Sequence, residues 1–212
     1  DNCDTDVTVT FTEDITAGAC DDAYTITRTW VATDNCGNAI THVQVITVED
    51  TTDPTWDQAM PADETVECDA VPAAASPITA SDNCDTDVTV TFTEDITAGA
   101  CDDAYTITRT WVATDNCGNA ITHVQVITVE DTTDPTWDQV MPADATVECN
   151  AVPSAPTITA DDNCDNDVSI SFIETPLAGA CTDAYTLTRT WTATDNCGNA
   201  ITHVQVITVE DT

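Results

Sequence analysis

The stretch YTITRTWVATDNCGNA at residues 105–120 decides the fold. Tyr105, Ile107, Arg109, Trp111 and Ala113 alternate with Thr106, Thr108, Thr110 and Val112, and the run stops at an Asp-Asn-Cys-Gly-Asn turn. A period of two means a strand with one buried face. Upstream, Val88, Val90 and Phe92 alternate with Thr89, Thr91 and Thr93 in the same way. Downstream, Ile121 to Glu130 reads as a third strand whose phase changes: Val124 and Val126 share one face, Ile127 and Val129 the other. A bulge near Val126 is therefore expected. Shorter strands fit Glu64–Cys68 and Pro77–Ala80, and no segment has a 3.6-residue period. Many short strands separated by Asp, Asn, Gly and Pro predict an all-β protein, a set of tandem immunoglobulin-like β-sandwich repeats with Trp111 in the core.

The pattern recurs. Residues 1–58 return unchanged as 82–139, and a diverged third copy starts at Asp162, giving periods of 81 and then 80 residues. The missing residue falls between Val152 and Ile158, in a Pro/Ala-rich stretch where a loop absorbs a deletion. A period this long suits one small domain per repeat. The expected domains are a partial repeat at 1–52 without its first strands, and complete repeats at 53–133 and 134–212. The start in mid-repeat suggests a chain cut from a longer array.

Charge narrows the partners. Thirty-nine acids face three arginines and no lysine, for a net charge of −36. Nucleic acids and anionic membranes are excluded as partners, because both need Lys/Arg clusters. No stretch approaches the roughly 18 apolar residues of a membrane span. The acids are mostly Asp, a residue of turns and cation-binding loops. Catalysis has no support: GxSxG, HExxH and glycine-rich phosphate loops are missing, and repetition spreads any function along the chain.

Eleven cysteines sit at fixed repeat positions, four per complete repeat. In a small lysine-free β domain they predict disulfides and an oxidising compartment; zinc is the rival, but no CxxC spacing occurs. Sandwich order puts Cys84 and Cys117 in the two top loops and Cys68 and Cys101 at the bottom. The expected bonds are Cys68–Cys101 and Cys84–Cys117, with Cys149–Cys181 and Cys164–Cys197 in the third repeat and Cys3–Cys36 in the first. Cys20 is left without a partner. Pairing of sequence neighbours, Cys68–Cys84 and Cys101–Cys117, is the alternative. Arg109, the single cation of its repeat, is expected half-buried on Trp111 and paired with Glu67 or Glu94. His123 is expected at the surface or rim.

Head-to-tail stacking brings the last strand of one repeat beside the top loops of the next. Those loops hold Asp82, Asp85, Asp87 and Asp115, and the incoming linker holds Asp50 and Asp53. So many carboxylates at one point call for a hard cation, and calcium takes six to eight oxygens in such loops. The second junction repeats the set as Asp131, Asp134, Asp162, Asp165, Asp167 and Asp195. The competing reading is a solvated acidic surface.

Three motifs together carry a resemblance: VEDTTDPTW at 129–137, TRTWVATDNCGN at 108–119, and VEC at 66–68 with DNCD at 82–85. They resemble the HYR-like, immunoglobulin-fold repeats of giant secreted proteins of Bacteroidota, gliding-motility adhesins among them. The resemblance implies an extracellular or cell-surface fibre exported through the type IX system. It also implies O-glycans at Asp-Ser/Thr sites of that bacterial group, which makes Thr51 and Thr132 candidates. The expected function is a structural segment of a filament, stalk or adhesin, whose partners are neighbouring repeats and like chains in a filament. The alternative is a module that itself binds a carbohydrate or protein, but the outward strand positions are mostly Thr rather than aromatic.

Overall fold

The computed structural model describes residues 5–179 and 183–211. Its elements are short strands joined by turns, with one three-residue 3₁₀ turn at Cys68–Ala70. The first repeat gives β1 (Thr8–Ala17), β2 (Tyr24–Thr33) and β3 (Ala39–Val48). The second gives β4 (Thr55–Trp56), β5 (Glu64–Glu67), β6 (Ala80–Ser81), β7 (Thr89–Ala98), β8 (Tyr105–Thr114) and β9 (Ala120–Glu130). The third gives β10 (Thr136–Trp137), β11 (Ala145–Glu148), β12 (Ala160–Asp161), β13 (Ser169–Ala178), β14 (Tyr185–Thr194) and β15 (Ala200–Glu210). Packing divides the chain into two compact units. One comprises residues 1–61, 74–93 and 109–125, the other 62–73, 94–108 and 126–212.

The third repeat, wholly inside the second unit, shows the architecture. Strands β11-β15-β14-β13 form one sheet and β10-β12 a short second one. Neighbours are antiparallel except β11, which runs parallel to β15 from Ala145↔Ile207 to Glu148↔Glu210. This is an immunoglobulin-like sandwich. The alternation read from sequence selects the core: Leu187, Arg189, Trp191 and Ala193 are buried while the threonines between them are half-buried. Leu187, Ile207 and Val209 pack with Val147, Val152 and Tyr185. Burying each aliphatic side chain stabilises by about 1.5–3 kcal/mol. Rows across the sheet are fixed by register: Phe172 faces Trp191, which faces His203, with ring centroids 5.0 and 6.1 Å apart.

The bulge expected near Val126 has no counterpart in the third repeat. In the equivalent strand of the third repeat, β14 and β15 pair without interruption from Tyr185↔Val209 to Thr194↔Ala200. In β9, Gln125, Ile127 and Val129 are the buried set. The inward glutamine conceals the continuous phase: in the third repeat, Gln205 turns inward to donate from Nε2 to Ala143 O at 2.7 Å. The expected strand Pro77–Ala80 is reduced to the two residues of β6.

The first repeat contributes a three-stranded sheet ordered β1-β2-β3. Its central strand β2 is half-buried along its whole length, where β8 and β14 alternate with fully buried positions.

Candidate metal centre at the repeat junctions

Each junction is built from the end of one repeat and two loops of the next. In the first unit these are Asp50, just past β3, the loop Asp82–Asp87, and the turn Asp115–Asn119 between β8 and β9. Asp side chains shape the loops locally. Asp82 Oδ1 accepts the N–H groups of Cys84 and Asp85 at 2.8 and 3.1 Å. Asp115 Oδ1 accepts those of Cys117 and Asn119, both at 2.8 Å, and its Oδ2 accepts Asn119 Nδ2 at 2.7 Å. Gly118, at φ +91°, supplies the left-handed residue that closes this turn. Asn119 Nδ2 also donates to Asp50 O at 3.3 Å, which locks the incoming strand end to the turn.

Asp85 has another task. Its Oδ1 accepts Asp87 N at 2.8 Å and its Oδ2 accepts Asn116 N at 2.9 Å, so it staples one loop to the other. The second unit repeats most of these bonds: Asp162 Oδ1 holds Cys164 and Asp165 at 2.8 and 3.0 Å, Asp165 Oδ2 holds Asn196 at 2.9 Å, and Asn199 Nδ2 reaches Asp131 O at 3.1 Å.

What remains is a set of buried carboxylate oxygens with nothing to bond. Asp50 Oδ2 and Asp82 Oδ2 in the first unit, and Asp131 Oδ2 and Asp162 Oδ2 in the second, are buried without a hydrogen-bond partner. Asp50 is 9 % exposed and Asp131 7 %. Ligand atoms of Asp131, Asp162 and Asp195 all lie within 4.8 Å of one another, as do those of Asp50, Asp82 and Cys84, and of Glu67, Asp131 and Cys164. Burial, and then the charges of Asp162, Asp195 and Glu67, push the Asp131 carboxyl up despite its bond from Thr133 N. Asp82, held by the Cys84 and Asp85 amides, lies below the usual carboxylate range. Such a cluster is the arrangement that a hard cation stabilises.

Of the residues expected to converge, Asp131, Asp162 and Asp195 come together in the second unit and Asp50 and Asp82 in the first, where the third close group is Cys84 and Asp115 acts on Asp82 as a neighbouring charge. Asp85 and Asp165 act as loop staples. Asp87 is exposed beside an open acidic cleft of about 380 Å³ that also includes Asp21 and Asp22. Asp53 is exposed, and Asp134 Oδ1 accepts Ala200 N at 3.2 Å. Sequence reading missed Asn116, Asn119 and Glu67. The Asp-x-x-x-Asn spacing of the turn was the available signal, since it is the pattern of an Asx-capped loop.

The disulfides correct the expected pairing. The bonds are Cys20–Cys117, Cys68–Cys164 and Cys101–Cys197, with Cα–Cα distances of 5.0, 5.9 and 5.1 Å. Cys68–Cys101, Cys84–Cys117 and Cys164–Cys197 are not formed, nor are the neighbour pairs Cys68–Cys84 and Cys101–Cys117. Bottom cysteines of one repeat meet top cysteines of the next, so every described bond crosses a junction. Cys36, Cys84 and Cys149 carry exposed free thiols. Cys3 and Cys181, the partners expected for Cys36 and Cys149, lie outside the described residues. The bond Asn196 Nδ2 to Asp103 Oδ2, and its counterpart Asn116 to Asp22, run beside two of these bridges.

Two of the arginines and His123 make contacts within the fold. Arg189 Nε pairs with its cross-strand neighbour Glu174 at 2.8 Å, and Arg28 pairs with Glu13 at 2.7 Å. Both glutamates occupy the position of Glu94 in the repeat. His123 is half-buried, with Nε2 2.8 Å from Pro61 O. Thr51 and Thr132 are exposed, and the Thr132 hydroxyl donates to Glu67 Oε1 while its amide donates to Oε2.

Fold and junctions define the class: successive immunoglobulin-like β-sandwich repeats bonded to one another by disulfides. The sequence model of the HYR-like domain with 4 cysteines matches residues 57–129 and 138–209, together more than half of the chain. The chain belongs to that family. No curated protein sequence matches it. Among solved structures, it is similar to Drosophila N-cadherin EC1-4 at 12 % identity and TM-score 0.32, over 98 % of this chain and 68 % of that one. It is similar to the human desmocollin-1 ectodomain at 11 % and 0.33, over 97 % and 56 %, and to human protocadherin-24 EC1-2 at 16 % and 0.32, over 76 % and 100 %.

Proposed function

We propose that the chain is a structural segment of an extracellular filament, stalk or cell-surface adhesin, with repeats 53–133 and 134–212 following the partial repeat 1–52. Calcium binds at the junctions and stiffens them. The observation that carries this reading is the pair of orphaned, buried carboxylate oxygens at the same two positions of both junctions, beside bridges that run from repeat to repeat. Asp50, Asp82 and Asp115 hold one ion, and Asp131, Asp162 and Asp195 the other. Asp85 and Asp165 position the loops. Carboxylates carried on loops supply the flexible, oxygen-rich coordination that calcium accepts more readily than magnesium. Disulfide chemistry supports an oxidising, extracellular setting. The partners are neighbouring repeats and like chains in a filament, and Thr51 and Thr132 are sites for O-linked sugar. On Thr132, a glycan would displace the hydroxyl from Glu67, so Thr51 is the more accessible of the two.

Calorimetric titration of the oxidised chain with calcium tests the proposal. Two saturable sites are expected, one of them lost in Asp131→Asn/Asp162→Asn and the other in Asp50→Asn/Asp82→Asn. Absence of saturable binding, or sites unaffected by these changes, leaves only a solvated acidic surface.

A further inference from the structure

Glu67 and Cys68 leave β5 beside Glu130 and Asp131 at the end of β9, because the two strands run parallel in the register Glu67↔Glu130. Cys68 is bonded to Cys164. The Cys164 sulfur, a carboxylate oxygen of Glu67 and one of Asp131 all lie within 4.8 Å of one another. Among the described residues, neither of the other two bridges has a sulfur in such a group. An independent feature points to a ligand here: Asp131 is 7 % exposed, and its Oδ2 is buried without a hydrogen-bond partner. Glu67 is already oriented. Its Oε1 accepts the Thr132 hydroxyl at 2.5 Å and its Oε2 the Thr132 amide at 3.1 Å, which leaves each oxygen a second lone pair.

Hydrogen bonds other than the bridge hold this frame. Cys164 N donates to Asp162 Oδ1 at 2.8 Å, Thr133 N to Asp131 Oδ1 at 3.2 Å, and Asn199 Nδ2 to Asp131 O at 3.1 Å. When the S–S bond opens, two thiols therefore stay side by side on Cα atoms 5.9 Å apart. Two sulfurs with two carboxylates are a poor set for calcium, which takes oxygen, and a good one for zinc in a closed tetrahedral site. No Cys-x-x-Cys spacing announces it, because the two sulfurs come from different repeats, 96 residues apart.

We infer that Cys68, Cys164, Glu67 and Asp131 form a zinc site in the reduced chain, so that the same residues offer a covalent clip when oxidised and a metal clip when reduced. The redox step needs an external reductant. A phosphine gives up two electrons and takes an oxygen from water, the S–S bond breaks, and each sulfur gains a proton. Zinc then displaces those two protons and is held by two thiolates and two carboxylates. The inference does not rest on the calcium reading, since it concerns the reduced chain in calcium-free solution.

The test uses the full chain, reduced with a phosphine in calcium-free buffer, and zinc alone as the probe. Alkylation followed by peptide mapping should find Cys68 and Cys164 modified at least about tenfold more slowly with zinc than without, since the metal-free thiolate is the reactive form. The other cysteines should react at unchanged rates. With one equivalent of zinc, X-ray absorption at the zinc edge should show two sulfurs at about 2.3 Å and two oxygens at about 2.0–2.2 Å. Glu67→Gln/Asp131→Asn should remove most of the protection while the Cys68–Cys164 bridge still forms in the oxidised variant. No protection, equal protection of every cysteine, protection indifferent to Glu67→Gln/Asp131→Asn, a zinc shell of sulfur only, or a loss of β-sheet circular dichroism on reduction that zinc does not restore would overturn the inference.

Discussion

Glu67 and Asp131 sit within one junction and respond to acid in opposite directions. Glu67 is held below its usual 4.5, first by the Thr132 hydroxyl and then by the Thr132 amide. A depressed carboxyl stabilises the fold above its unfolded value, and the contribution disappears as pH falls through the lower folded value. Asp131 is raised, so its ionisation opposes folding at neutral pH and its protonation relieves that cost. Thr132→Val removes the stronger of the two Glu67 donors and leaves the amide. Acid unfolding followed by circular dichroism should then begin at higher pH than in the parent; an unchanged midpoint would remove Glu67 from the account. The core makes a simpler statement. Trp191 is 2 % exposed between Phe172 and His203, and Trp191→Ala should destabilise by about 3–5 kcal/mol in chemical denaturation.

At the scale of elements, the strands were legible and the links between repeats were not. Alternation in Tyr105–Thr114 reports burial directly, because successive side chains of a strand point to opposite faces. It misled only where a polar residue faces inward: Gln205 is buried because it bonds the backbone of the covering segment, a partner some sixty residues away that periodicity does not see. The cysteine positions were legible too, as top and bottom of each sandwich. Their pairing was not, because the repeats are so alike that Cys101–Cys117 and Cys101–Cys197 join the same two sequence contexts. The carboxylate cluster was foreseen in outline, whereas the division between ligands and staples depends on which oxygen each amide claims. Bridges separated by 96 or 97 residues constrain the unfolded chain more than bridges within a repeat. Loop entropy assigns each about 4–5 kcal/mol. Reduction should therefore lower the melting temperature steeply, and Cys101→Ser/Cys197→Ser should account for part of that loss. A reduced chain that melts like the oxidised one would show that the bridges do not stabilise the fold.

For the whole molecule, −36 charges in 212 residues repel one another throughout. Sodium chloride screens this repulsion over a Debye length of about 10 Å at 0.1 M and should raise the melting temperature gradually. The calcium proposed at the junctions would act at defined places instead. At matched ionic strength, a concentration 100 times the dissociation constant adds about 2.7 kcal/mol per site. Scanning calorimetry in calcium and in magnesium at equal ionic strength separates the effects: equal shifts would mean that only screening operates.

The crossing bridges also determine how far the molecule stretches. Pulled from Cys20 and Cys197, the covalent route jumps from Cys20 to Cys117, retraces the backbone to Cys101, and jumps again to Cys197. Only the stretch between Cys101 and Cys117 is free to lengthen on that route, about 55 Å when drawn out at ~3.5 Å per residue. Without the bridges, the same two anchor points separate by about 600 Å. An optical-tweezers trace of the oxidised chain should thus end in an abrupt, nearly inextensible wall, and adding reductant under tension should release the hidden contour in steps. Molecules strung in this way yield very little length before they bear load, as a cord does and a spring does not.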